Sequence, residues 1–313
     1  MARIVVALGG NALSLDGKAT AVAQQQVADQ TTSLLARLIQ AGHELAVVHG
    51  NGPQIGNIIL HEEAINTEKT PTMPVDTCGA MSQGQIGYWL QKAFYNNFQT
   101  LGITKPVASI VTQVVVDPND PAFSNPTKPI GPFYSEQEAK KLAAERGFTV
   151  KEDAGRGWRK VVPSPKPIDI IEADLVKMAL DSQAILITAG GGGIPVYYQN
   201  DKLVGLEAVI DKDFAAAKLA EIIEADVLLI LTAVDTVKIN YGQPNEQAID
   251  QMSLDQARQY IAEGQFAPGS MLPKVEASIK FVSTGNGRQA IITTPEGALE
   301  ALNGQIGTKI TQN

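Results

Sequence analysis

Three times along this chain a short run of aliphatic and β-branched residues stops at a cluster of glycines. Arg3 to Leu8 precedes Gly9-Gly10-Asn11, Glu44 to His49 precedes Gly50-Asn51-Gly52, and 184–188 precedes Gly190 to Gly193. Apolar runs of this length fit parallel strands buried on both faces, and the glycines mark loops whose backbone can come close to a ligand. In an open parallel sheet such loops gather at the carboxyl edge, where ligands bind. A tight strand-to-helix turn explains any one of them; three at one edge point to a binding crevice. Further strand-like runs lie at 107–116, 227–231 and 290–293, and helical spacing fills 22–40, 53–63, 79–97, 214–224 and 273–282. Strand and helix alternate, so the expected class is α/β, a three-layer αβα sandwich around a mostly parallel sheet.

The rhythm breaks between 118 and 167, which holds eight of the 17 prolines and one convincing helix at 135–146. Proline removes backbone donors, so this part is expected to form a small lobe beside the sheet, at about 117–167. Its basic residues Arg156, Arg159, Lys160 and Lys166 read as a solvated charged surface. Lys128 differs, because the stiff segment from Pro126 to Gly131 presents its ammonium at a fixed place. After the four glycines, 195–205 reads as a hairpin turning at Asn200-Asp201. The expected organisation is an N-terminal half, 1–205, that includes the lobe, and a C-terminal half, 206–313, both on one sheet.

A formal charge of -8 argues against a general nucleic-acid or anionic-membrane binder, so any anion site must be local. The single cysteine, Cys78, cannot form an internal disulfide and reads as a small buried hydrophobe in a protein of a reducing cytoplasm. The opening apolar run is too short for a signal-peptide core or a membrane span, so a soluble protein is expected.

The segment from Gly50 to Gly56 approaches the dinucleotide fingerprint G-x-G-x-x-G, but its last glycine comes one residue late and no acid ends a following strand. No G-x-x-x-x-G-K-S/T is present, which excludes a P-loop. Pro53 at the first position of a helix leaves backbone donors aimed outward, suiting an anion. Two lysines stand where helices least want them: Lys212 before the helix expected near Phe214, and Lys274 in the first turn of the helix opened by Pro273. Each opposes the helix dipole by roughly 0.3 to 1 kcal/mol, a sign that a bound polyanion would reverse. Asp211 and Asp213 flank Lys212. Asp213 reads either as the helix N-cap or as a carboxylate holding two ammonium groups in place. Thr232-Ala233-Val234, Tyr241 and the run Ser270-Met271-Leu272-Pro273 offer small, apolar and aromatic surfaces for a purine ring, with core packing the alternative for Val234 and Met271.

The segments ALGGNAL, HGNGPQIGN, PVDTCGAMSQGQIGYWL, TQVVVDPNDPAFSNPTKPIGPF, KEDAGRGWRKVVPSPKP, GGGGIPV, EAVIDKDFAAAKLAE, LTAVDTVKINYG and FAPGSMLPKVEA span nearly the whole chain. Together they resemble the carbamate kinases of the amino acid kinase family. The resemblance implies an αβα sandwich, usually a homodimer, that transfers a phosphoryl group reversibly between ATP with magnesium and carbamate, giving ADP and carbamoyl phosphate. It implies ATP formation in fermentative arginine catabolism. Carried onto this sequence, it assigns the acceptor and the transferring group to Gly9, Gly10, Asn11, Gly50 and Asn51. Lys128, Lys212 and Lys274 would act on the phosphates, Asp213 in preference to Asp211 would organise them, and the nucleotide would meet Asp211, Thr232, Ala233, Val234, Tyr241, Ser270, Met271 and Pro273. No residue is assigned to a protein-held metal. The competing readings are a kinase for another acceptor such as acetylglutamate, a nucleotide sensor without turnover, and, weakest, a dehydrogenase.

Overall fold

The computed structural model describes residues 1–9, 20–153 and 155–313. The expectations placed on Gly10 and Asn11 lie outside the described residues. Its centre is an eight-stranded sheet in the order Gln251–Ser253, Thr308–Thr311, Gln289–Thr293, Val227–Leu231, Arg3–Leu8, Glu44–His49, Ile185–Ile187, Val107–Ser109. The six strands from Gln289–Thr293 to Val107–Ser109 are parallel, and Thr308–Thr311 runs antiparallel to its neighbour. Arg3–Leu8 lies in the middle, with strands from 227 onward on one side and strands from between 44 and 187 on the other.

Alternation along that central strand builds both layers, because successive side chains of a strand point to opposite faces. Val5 and Ala7 pack with Ala215, Ala216 and Leu219 of helix Lys212–Ile222 and with Val275 and Phe281 of helix Met271–Val282. Ile4, Val6 and Leu8 pack with Leu35 and Leu38 of helix Ala21–Gln40 and with Ile86, Leu90 and Phe94 of helix Val75–Leu101. Each of the larger side chains contributes roughly 1.5 to 3 kcal/mol of burial, which favours these runs of three to six residues at the centre of the sheet.

The run expected at 107–116 is two strands in two sheets. Val107–Ser109 ends the large sheet, while Gln113–Val116 joins a second, four-stranded sheet with Ile194–Gln199, Lys202–Gly205 and Pro167–Ile170. Gln83 holds the break: its side chain accepts from Thr112 N–H at 2.8 Å and donates to Thr112 C=O at 3.1 Å, a carbonyl that also takes Ile194 N–H at 2.9 Å where the second sheet begins. The hairpin turns at Asn200 and Asp201, with φ of 49° and 61°, as a two-residue turn requires.

The chain enters the lobe from Gln113–Val116 and leaves it into Pro167–Ile170, and these two strands pair antiparallel as a closed neck. The lobe itself is a three-stranded antiparallel sheet, Lys128–Tyr134, Trp158–Val162 and Thr149–Glu152, with the helix Glu136–Arg146. That helix starts at a capping box between Ser135 and Glu138.

Candidate active site

The loops after the central strands leave the sheet at one level. Leu8 is in register with both Leu231 and His49. Gly9 N–H donates to Leu231 C=O at 3.0 Å, Gly50 N–H to Leu8 C=O at 3.1 Å, and Thr188 N–H to Val47 C=O at 2.9 Å. The third glycine loop then folds over the second. Gly191 has φ +67°, and a Cβ there would stand 2.1 Å from Asn51 Nδ2, so only glycine lets this backbone lie against that amide. Asn51 is buried and donates to Ser82 Oγ at 2.8 Å, which fixes it without capping its own helix. The helix Gly52–Ala64 therefore opens with no side-chain cap, with Pro53 as its second residue rather than its first. Gly50, Asn51, Gly52, Pro53, Gln54, Gly191 and Ile210 line a cavity of about 150 Å³ whose remaining walls are Lys128 and Lys212.

Those lysines belong to a chain of ion pairs. Lys128 Nζ reaches Asp211 Oδ2 at 2.5 Å, Lys212 Nζ reaches Asp213 Oδ1 at 2.6 Å, and Lys274 Nζ reaches Asp213 Oδ2 at 2.9 Å. Asp213 is 2% exposed. Burial opposes its charge, yet the two ammonium groups outweigh that and hold the carboxyl far below the usual range. Asp211 is lowered in the same way, burial being overcome by Lys128. The two lysines on Asp213 diverge. Burial and the charge of Lys274 bring Lys212 below the ordinary lysine value, whereas Asp213 holds Lys274 above it despite burial. Three ammonium groups against two carboxylates leave one positive charge in excess on an acidic protein, at the mouth of a small cavity. An anion entering there would favour the protonated form of Lys212.

The helix that carries Lys212 runs from Lys212 to Ile222, and its N-cap is Asp211, which accepts from Asp213 N–H at 2.9 Å. The N-cap reading of Asp213 is thereby corrected: capping falls two residues earlier, and Asp213 is left free to join the lysines. A second cavity, of about 520 Å³, lies in the chain's C-terminal part. Val234, Tyr241, Ser270 and Met271 line it, with Lys238, Gln265 and Phe266. Thr232, Ala233 and Pro273 are not among its lining residues, and Asp211 faces Lys128 instead. Met271 opens a helix whose N-cap Ser270 makes no side-chain cap bond.

The four basic lobe residues divide: Arg156 and Lys166 are exposed, as a solvated surface requires, although the Lys166 ammonium lies 3.2 Å from the centre of the Phe214 ring, whereas Arg159 donates to Gly131 C=O at 3.0 Å and Lys160 pairs with Glu63 at 2.9 Å, both partly buried. Sequence reasoning missed Glu63, and missed Gln54, Gly191 and Ile210 as cavity walls. The four-glycine run was the one local sign of Gly191.

His49 is 1% exposed, and its Nδ1–H donates to Gly50 C=O at 2.9 Å. Burial pushes its pKa down to about 4. A folded pKa below the unfolded value stabilises the fold above the unfolded pKa, and that stability is lost as pH falls from about 6.5 toward 4. The expected loss from this residue is about 3 kcal/mol over that window. Denaturant titrations at pH 7 and pH 4 check it: His49→Gln should flatten the difference by about that amount, and an unchanged difference would assign the pH dependence elsewhere.

The sequence profile of the amino acid kinase family matches residues 2–294. The chain is 55% identical over 312 residues to carbamate kinase 1 of Enterococcus faecium, covering 99% of each chain. It superposes on carbamate kinase from Giardia lamblia bound to citric acid with a TM-score of 0.94 at 41% identity, covering 100% of this chain and 99% of that one. The Giardia lamblia enzyme bound to AMP-PNP gives a TM-score of 0.90 at 42% identity, with the same coverage.

Proposed function

The chain belongs to the amino acid kinase family, and we infer from this that it is a carbamate kinase, catalysing reversible phosphoryl transfer between ATP and carbamate. The observation that carries the reading is Asp213, buried between Lys212 and Lys274 beside a cavity walled by two glycine loops and Lys128. Carbamate or carbamoyl phosphate occupies the smaller cavity, over the backbone of Gly9 and Gly50 and against the free donors of the uncapped helix at Gly52, with Asn51, Gly10 and Asn11. The adenosine of the nucleotide occupies the larger one, beside Val234, Tyr241 and Met271, within the size range of small-molecule sites. Its phosphates then extend toward Lys274 and Lys212.

In the ATP-forming direction a β-phosphate oxygen of ADP attacks phosphorus, the bond from phosphorus to the carbamate oxygen breaks, and the electron pair leaves with carbamate. The leaving group is already an anion, so no proton moves and no general acid is required. His49, neutral and committed to Gly50, has no part to play. Three anionic partners converge, and the lysines offset their repulsion while the backbone donors fix their alignment. Among the described residues no group of three His, Cys, Asp or Glu side chains is placed to hold a metal ion. Magnesium would enter with the nucleotide substrate, where it would neutralise phosphate oxygens. Formation of ATP in arginine catabolism suits a mixed-anhydride donor such as carbamoyl phosphate.

Two assignments complete the proposal. Met81, Tyr88 and Tyr95 repeat every seven residues on the helix Val75–Leu101 and are each at least 45% exposed, an apolar stripe that supports a homodimer. Among the described residues no helix is long and apolar enough to cross a membrane, and the one cysteine, Cys78, is buried with its thiol pushed up to about 11 by burial, which supports a reducing cytoplasm. Purified protein of dimeric mass should form ATP from ADP, magnesium and carbamoyl phosphate in a coupled assay, and should not phosphorylate acetylglutamate from ATP. No turnover at saturating substrates, or a preference for acetylglutamate, would sink the reading.

A further inference from the structure

We infer that Gly56 and Glu63, neither of them near the reacting atoms, are positioning residues that set where the Lys128 ammonium stands. The inference rests on the proposed role of Lys128 in transfer.

Lys128 is the first residue of the lobe strand Lys128–Tyr134, and the helix Gly52–Ala64 begins at the cavity that Lys128 closes. Strand and helix meet at glycine on glycine. A Cβ on Gly56 would stand 2.0 Å from Gly131 Cα and 2.2 Å from Gly131 N. Both are backbone atoms, so no side-chain rotation relieves the overlap. Arg159 holds the Gly131 carbonyl at 3.0 Å, and Ile130, 1% exposed, seats between Ile55 and Ile59 of the same helix.

Glu63 lies two helical turns beyond Gly56 and so on the same face. Its carboxylate receives Arg146 of the lobe helix at 2.8 Å and Lys160 of the strand Trp158–Val162 at 2.9 Å. Lys160 is the cross-strand partner of Ile130. One rigid helix thus bears the lobe at two points. Between those points lies a cavity of about 220 Å³ lined by Ile59, Leu60, Ile130, Tyr134 and Phe148, so the middle of the contact is not tightly filled. The height of the lobe over the helix, and with it the place of Lys128 against Asp211, is therefore fixed at Gly56 and Glu63.

Gly56→Ala puts the better helix former on this helix, so lost activity would not come from a lost helix. It pushes the lobe outward instead. Misplacing a reacting group by about 1 Å can cost on the order of 100-fold. Because the neck of the lobe can absorb part of the shift, kcat should fall at least ~10-fold, with the KM for ADP changed less than about twofold. Glu63→Gln keeps the volume and removes the charge, and should cost roughly fivefold, the scale of a partly exposed ion pair. The deciding measurement repeats both changes in Lys128→Ala. If they act through Lys128, neither lowers the activity of that enzyme further by more than about twofold. Full additivity, or wild-type kcat in both single variants, would overturn the inference while leaving Lys128 in the mechanism. Wild-type turnover by Lys128→Ala itself would remove both.

Discussion

Lys212→Ala should turn over carbamoyl phosphate and ADP between about 100 and 1,000 times more slowly than the wild type, while staying folded and still binding ADP. The side chain is 12% exposed, its ammonium sits 2.6 Å from Asp213, and its stem lies so near Gly50 that a Cβ there would come within 3.3 Å. It therefore projects between the two glycine loops, where charge builds on the transferring group. In the resting enzyme burial and the charge of Lys274 work against its protonated form. Incoming phosphate oxygens favour that form, and they favour it most when the three anionic partners are closest. The contact is thus stronger in the transition state than before it, which lowers kcat when it is removed rather than only raising KM. Stability suffers less. Leaving a buried charge alone costs about 3 to 5 kcal/mol, but Asp213 keeps Lys274 at 2.9 Å and is not left alone. A kcat measurement with an ADP thermal shift separates the two effects, and near-normal turnover would take Lys212 out of the mechanism.

What could be read from the chain was what local chemistry decides. The runs Arg3–Leu8, Glu44–His49 and Val227–Leu231 are apolar because both faces of each are buried, and they end in the sheet where their composition ends. The helix Val75–Leu101 starts four residues before the expected 79, because Pro74 and Asp76 supply start signals that apolar spacing alone does not count. The break at 110–112 was out of reach, since it depends on Gln83, a residue of another element. At the site the same division holds. Lys212 and Lys274 stood out because a cation at a helix start conflicts with the dipole. The choice between Asp211 and Asp213 turned on where the helix begins, and an offset of two residues exchanges cap and counter-ion. Glu63 left no local trace, its partners Arg146 and Lys160 being 83 and 97 residues away.

Asp213→Asn should reverse the balance seen for Lys212, costing the fold more and anion binding less. The asparagine keeps the volume and one acceptor but leaves two ammonium groups, at 2.6 and 2.9 Å from the old carboxylate oxygens, with only Asp211, already paired to Lys128, as counter-charge in a site 2% exposed to water. That is the case in which removing one member of a buried ionic cluster costs about 3 to 5 kcal/mol. The pH dependence should change side. In the wild type Asp213 titrates well below its unfolded value, so its stabilisation is complete above about pH 4 and is lost only on further acidification. In the variant that step is gone, and Lys212, already lowered by burial, falls further. The unfolded chain then binds more protons than the folded one up to the ordinary lysine pKa, and stability rises with pH toward about 10. A phosphate group can replace the missing charge. ADP should therefore raise the melting temperature of Asp213→Asn by a few degrees more than it raises that of the wild type, even though the unfixed lysines turn over poorly. An equal or smaller shift, together with an unchanged alkaline profile, would show that Asp213 is not the counter-ion that the phosphates displace.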